Sequence, residues 1–212
     1  MNLPCHVGGC PRPRARWGRH CVRHARALTL HGAPTARIIP TKDLKLYALK
    51  TLELFEEFPG HAGVGIATAE LTDSLSDSLR RVRAGEKADP CVVQFARLAG
   101  DYVEARHILS MQCAVSLFER DHPNHVVDHA AHTYAVARAV CLLSPRSRGK
   151  ARRAPLSAKA LAQIGTFLTD RYSTLAGAVV FHFDRQERAE RSRAEMLRQP
   201  FATINPNNER IP

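Results

Sequence analysis

Residues 5–24 read CHVGGCPRPRARWGRHCVRH. The order Cys5-x4-Cys10-x10-Cys21-x2-His24 supplies three thiolates and one imidazole, a closed tetrahedral donor set of the kind that holds structural rather than catalytic zinc. Gly8 and Gly9 stand just before Cys10 and let the backbone turn tightly, so that both cysteines of the first pair can face one ion. Cys21 and His24 lie about one helical turn apart, on the same side of a short helix. His6 and His20 neighbour these ligands and are alternatives to His24 as the fourth. Apart from Leu28, Leu30 and a few others, the first 40 residues hold little to pack. Such a piece cannot bury enough surface to fold without a cross-link. One structural Zn2+ is therefore expected, adding on the order of 10 kcal/mol to the folding of this knob. HGAP (31–34) and RIIP (37–40) read as a linker, which makes residues 1–40 a zinc-binding basic module and its linker.

The other cysteines behave differently. Cys91, Cys113 and Cys141 stand singly in apolar surroundings and read as small buried hydrophobes rather than nucleophiles. In a reducing compartment clustered cysteines are metal ligands, not disulfide halves.

Downstream of the knob the apolar period becomes helical. The chain has 212 residues, 44% of them hydrophobic and 24% charged, enough to build a core and too apolar for wholesale disorder. Thr41 is a candidate cap for a helix carrying Leu44, Tyr47, Leu52 and Phe55 and ending at Pro59-Gly60. GHAGVG (60–65) reads as a turn before a second helix near Thr68 to Arg83, closed by Ala84-Gly85. Asp89-Pro90 opens a third helix, predicted to run to about Glu119 with Val93, Phe95, Leu98, Tyr102, Ile108, Leu109 and Phe118 available for burial. Asp121-His122-Pro123 opens a fourth, ending near Leu143. Ser157 caps a fifth, with a break expected near Gly177 before the charged stretch 184–198. No segment alternates as a strand does. The fold class is mainly α: a small zinc knob, an all-α helical domain over 41–199, and a flexible tail over 200–212. No apolar run approaches the roughly 18 residues of a membrane span, and MNLPCHVGGC lacks the pattern of a secretory leader. A soluble cytoplasmic protein with no membrane partner is expected.

Charge is unevenly placed along the chain. The net value is +11, and residues 1–40 carry seven arginines and no acid. Residues 41–145 carry 11 basic and 14 acidic side chains, whereas 146–212 carry 13 basic and six acidic. Two basic ends flanking a mildly acidic body suit a polyanion. In the knob, Arg12, Arg14, Arg16 and Arg19 surround Trp17, with Arg23 and Arg26 beyond. Guanidinium groups held on a metal scaffold suit phosphates, and Trp17 either stacks on an unpaired base or covers the zinc site. Arg146, Arg148, Lys150, Arg152 and Arg153 form a second basic cluster in a loop without acids, read as a phosphate-contacting strap or a solvated loop.

Catalytic patterns are weak. His122, His125, His129 and His132 follow steps of three, four and three residues and would share one helix face, as a second metal site or contact surface, or merely a polar edge. Glu104-x2-His107 supplies one copy of the pair used in di-iron bundles, but a second Glu-x2-His on another helix is absent. GHAGVGIA lacks the Lys-Ser/Thr of a phosphate loop, and no G-x-S-x-G occurs.

The stretch CHVGGCPRPRARWGRHCVRHARALTLHGAP resembles the short zinc-binding module of bacteriophage and actinobacterial proteins that often precedes HNH endonuclease domains. Cys5, Cys10, Arg12-Pro13, Gly18, Cys21, His24, Gly32 and Pro34 carry the resemblance, over about 30 residues. Gly18 stands one residue farther from Cys21 than the pattern has it, and Ala25 replaces a frequent aromatic. The resemblance implies Cys5, Cys10, Cys21 and His24 as ligands and a phage or mobile-element origin. It does not extend to an HNH catalytic domain: HVVDHAAH (125–132) lacks the downstream Asn and His on a ββα hairpin. The expectation is a non-enzymatic, zinc-containing protein that binds DNA or RNA in transcription or replication control. The rival is an adaptor whose knob docks a host protein such as RNA polymerase, or a virion component. A second copy of the chain is a further candidate partner.

Overall fold

Leu44, Ala48, Thr51 and Phe55 are buried at steps of four, three and four residues, and Ala67, Leu71, Leu75 and Ser78 keep a similar rhythm. A stripe of that width needs a facing surface, which neither helix can supply for itself. The computed structural model, which describes residues 3–144 and 156–198, places both stripes around a central helix. Seven helices and no strand occur among the described residues: α1 (Val22–His31), α2 (Thr41–Glu57), α3 (Ala62–Arg83), α4 (Pro90–Gly100), α5 (Ala105–Asp121), α6 (His129–Cys141) and α7 (Ala158–Arg198). The mainly α architecture is as the periodicity predicts.

Helix α5 is the hub. Its residues Ile108 to Val115, with Ala105, Leu117 and Phe118, are buried on nearly every face, and it packs on α2, α3, α6 and α7. A helix apolar all round belongs inside a bundle. Its buried Gln112 donates through Nε2 to the Leu168 carbonyl of α7 at 3.1 Å. Helix α7 crosses α6 very closely at Gly165, where a Cβ would sit 2.1 Å from the Thr133 carbonyl oxygen. At the far end of α5, Arg120 donates to Asp121 (2.7 Å), Asp184 (3.0 Å) and Glu187 (2.9 Å), fastening α5 to α7.

Two of the expected caps form and several expected boundaries move. Asp89 accepts from the N–H groups of Cys91 and Val92, and the Ser157 hydroxyl accepts from Ala160 N–H. Thr41 is inside α2 rather than its cap, since Pro40 takes the cap position. Helix α3 starts at Ala62, so most of GHAGVG is helix; the half-buried Val64 and buried Ala67 reward the extra turn over the glycine cost. Helix α7 runs through Gly177 without a break, held by the buried Leu175, Ala176 and Val179 around it.

The predicted single helix from Asp89 to Glu119 is two helices. Tyr102 adopts φ 58°, its N–H reaches Ala99 O at 3.1 Å, and Val103 N–H reaches Leu98 O at 2.9 Å. These are the bonds of a Schellman stop, and α3 ends with the same pair around Gly85 at φ 73°. Tyrosine in the left-handed region is strained, and Tyr102 is 92% exposed, not buried as its spacing suggested.

Residues 31–40 are not a loose linker. Ala33, Ala36 and Ile39 join the bundle core. Gly32 ends α1 at φ 78°, and a Cβ there would lie 2.7 Å from Ala130 O and 2.9 Å from Tyr134 Cδ2. Arg138 of α6 donates to the Leu30 carbonyl at 3.1 Å, and Arg37 N–H to the His125 carbonyl at 3.2 Å.

Candidate metal centre

The knob is folded by its backbone around four side chains. Pro4 and Pro13 form an antiparallel bridge, Cys5 N–H reaches Arg12 O at 3.3 Å, and Arg14 N–H reaches Leu3 O at 2.9 Å. Gly9, at φ 71°, takes the left-handed position of the turn that brings Cys10 back, with Cys10 N–H on Val7 O at 3.1 Å. Cys21 occupies the N-cap position of α1 without capping it; its thiol serves the cluster instead. His24 follows one turn into the helix. The donor atoms of Cys5, Cys10, Cys21 and His24 all lie within 4.8 Å of one another. Cys5 Sγ is 3.3 Å from His24 Nδ1, and Cys10 Sγ is 4.0 Å from Cys21 Sγ. Four such donors close together can hold a metal ion. Among the described residues this group alone brings three or more potential ligand atoms together.

Electrostatics agree with that chemistry. Burial opposes ionisation of Cys5, but hydrogen bonds from His24, from the Cys21 and Val7 N–H groups and from Cys10 outweigh it and bring the thiol down to about 5. Cys10 moves upward: its backbone bond at Arg12 favours the thiolate, yet burial and the sulfurs of Cys21 and Cys5 oppose it more strongly. Sulfurs this close cannot all be anionic without a cation between them. The fourth donor is His24. His6 and His20 meet edge to face instead, ring centroids 6.3 Å apart, and His20 Nδ1 is enclosed without a hydrogen-bond partner among the described residues.

Arg12, Arg16, Arg19, Arg23 and Arg26 are exposed around this core and Arg14 is half-buried. Trp17 is 90% exposed, so it does not cover the cluster; its ring meets the Arg16 guanidinium, 5.2 Å from the centroid. The second basic cluster, Arg146, Arg148, Lys150, Arg152 and Arg153, and the tail over 200–212 lie outside the described residues.

The predicted histidine face does not exist as one surface. Asp121 ends α5 and gives its carboxylate to Arg120 and to the Tyr47 hydroxyl (2.5 Å), so it opens no helix. Asp128 is the true cap of α6, accepting from Ala131 N–H at 2.8 Å. His122 and His125 therefore sit in the preceding turns, with ring centroids 4.4 and 5.2 Å from that of Phe118. Burial, with Arg37 and His122 nearby, pushes His125 down towards the neutral form. His129 is exposed, while His132 Nδ1 pairs with Glu119 at 2.7 Å. Glu104 is likewise engaged, by Arg106 at 2.6 Å.

Of the three scattered cysteines, Cys113 is buried and Cys91 and Cys141 are half-buried. Burial pushes Cys91, Cys113 and Cys141 up to about 12. A groove of about 600 Å³ that no motif announces is lined by Glu57, His61, Phe181, His182 and Arg185, among others. Its walls come from α2, α7 and the residue before α3, distant in sequence, so no local pattern signals it. No family model, no curated protein and no solved structure matches the chain.

Proposed function

We propose that the protein is a zinc-stabilised nucleic-acid-binding protein, with the knob as its phosphate-contacting surface. Zinc suits the donor set. With Zn–S near 2.3 Å and Zn–N near 2.0–2.1 Å, a tetrahedron has edges of about 3.8 Å between sulfurs and about 3.6 Å from sulfur to nitrogen. The observed 4.0 Å between sulfurs is slightly longer, and the 3.3 Å from sulfur to nitrogen slightly shorter, than these edges. Cys5, Cys10, Cys21 and His24 would hold the ion, which supplies a charge-neutralising cross-link. Four protein ligands leave no open position for a substrate, which favours a binding module over a catalyst.

The observation that carries the reading is the arginine distribution. Six guanidinium groups, Arg12, Arg14, Arg16, Arg19, Arg23 and Arg26, are displayed on a metal-braced scaffold whose first 40 residues contain no carboxylate side chain to neutralise them. Phosphates on a polyanion match such a surface, and each contact releases condensed counterions. Control of transcription or replication, in a phage or mobile element, is the setting proposed.

Binding to labelled DNA and RNA over a salt series tests it. Six phosphate contacts give a log–log slope of about −5 on duplex DNA. The double substitution Arg14→Glu, Arg16→Glu should abolish binding while the metal content is unchanged. A flat salt response defeats the proposal, and a protein recovered from nuclease-treated host lysate, with no nucleic acid bound, would favour the adaptor.

A further inference from the structure

We infer that the tip of the knob is a stacking site for an unpaired nucleobase, so that the preferred ligand is single-stranded nucleic acid; this rests on the nucleic-acid reading above. The tip is a tight turn. Gly18 N–H reaches Ala15 O at 3.0 Å, which puts Arg16 and Trp17 at the two corner positions, and Ala15 N–H reaches His20 O at 2.9 Å across the base of the loop. His6 N–H on Arg19 O at 3.0 Å ties the same loop to the strand of chain that carries Cys5. The indole is thus held out from a braced turn.

A tryptophan that served the fold would be covered. This one is 90% exposed, and the nearest cation on its ring is its own neighbour Arg16, 5.2 Å from the centroid. An indole buries about 150–250 Å² when covered, so an external flat ring has much to gain there. A nucleobase is such a ring, and its phosphates would fall among Arg14, Arg16 and Arg19 on either side of the turn. In a duplex the bases are already stacked and paired, and extruding one costs a few kcal/mol. In a single strand the π-faces are available without that cost. The arginines grip both forms; the tryptophan separates them.

Trp17 is the sole tryptophan of the chain, so intrinsic fluorescence reports that ring alone. The zinc-loaded full chain is titrated with oligothymidylate and with a duplex of equal length, following tryptophan emission and the anisotropy of a dye on the DNA. Oligothymidylate should quench the emission and the duplex should not. Trp17→Ala should weaken binding of the single strand by roughly 5- to 150-fold, the worth of one stacked base. Duplex affinity should stay within about twofold, and Trp17→Phe should recover much of the loss. Metal content checks that both variants keep the knob. If both DNAs bind but emission is unchanged, or Trp17→Ala weakens both equally, the stacking site is overturned while the arginine surface stands. Equal quenching by the duplex overturns it too. If neither these DNAs nor single- and double-stranded RNA of the same length bind, both readings fall, and the exposed indole is left as a contact for a protein.

Discussion

Helix α1 has no buried residue along its ten positions, whereas α5 buries eleven of seventeen. The first is amphipathic with nothing to press its apolar side against: Leu28 and Leu30 stay exposed, and only Cys5 and Cys21 of the cluster are buried in the knob. Its place is set by His24 at one end and by Gly32 seated on α6 at the other. The second is surrounded by four neighbours and pays for its backbone entropy with apolar area. One region is built around a cluster that can hold a metal, the other around buried apolar area, and on the zinc reading proposed above the two should respond to different insults.

Metal removal is the strongest way to break the comparison. A chelator, or Cys21→Ala, should erase amide protection across residues 5–31 and leave that of α5 intact, as hydrogen exchange will report. The helical circular dichroism should fall only by the share of α1. A bundle that unfolds with the knob would show the two regions to be one cooperative unit.

Next in size is Gly165→Ala, which drives a methyl group into the Thr133 carbonyl oxygen. Overpacking of this kind should cost about 3 kcal/mol in denaturant unfolding, with metal stoichiometry unchanged. Arg120→Ala removes the fastening of α5 to α7. Its carboxylate partners are 32–44% exposed and can return to water, so the loss should be about 1 kcal/mol.

The same corner gives the bundle a pH signature. Burial works against ionisation of Asp121, but the Arg120 and Tyr47 hydrogen bonds outweigh it and hold the carboxyl below the ordinary aspartate range. The folded state therefore prefers the carboxylate. Its contribution is full above the ordinary carboxylate range and is lost as pH falls below about 4. Unfolding followed from pH 6 down to about 3 should show Asp121→Asn with a shallower acid slope than the parent chain.

The smallest effect has the opposite sign. Tyr102→Gly relieves a left-handed tyrosine at a cost in unfolded-chain entropy, so thermal unfolding should register a net gain of about 0.5 kcal/mol. A loss would mean that the exposed ring has a packing role.

Legibility followed how local each signal is. The Asp89 and Ser157 caps and the Gly85 stop were readable because the residue that makes the bond is the residue that signals it. The stop at Tyr102 carries the same hydrogen bonds as the one at Gly85 but no glycine to announce it. The start of α6 was misplaced because Asp121 and Asp128 are equally good caps on paper, and only the pull of Arg120 and Tyr47 on Asp121 separates them. The histidine face went with that boundary. The groove at Glu57, His61 and His182 was invisible for a further reason, being built from elements far apart along the chain.

By itself the sequence determined the chemistry: which sulfurs and imidazoles can bind a metal, where the arginines and the one tryptophan cluster, and that helices fill the rest. These follow from residue type and short-range spacing, which need no partner surface. Tertiary structure alone decided that His24 rather than His6 or His20 completes the donor set, that residues 33–39 belong to the core, and that Trp17 faces outward. Each of those is a choice among locally equal alternatives, settled by which atoms the folded chain brings within contact.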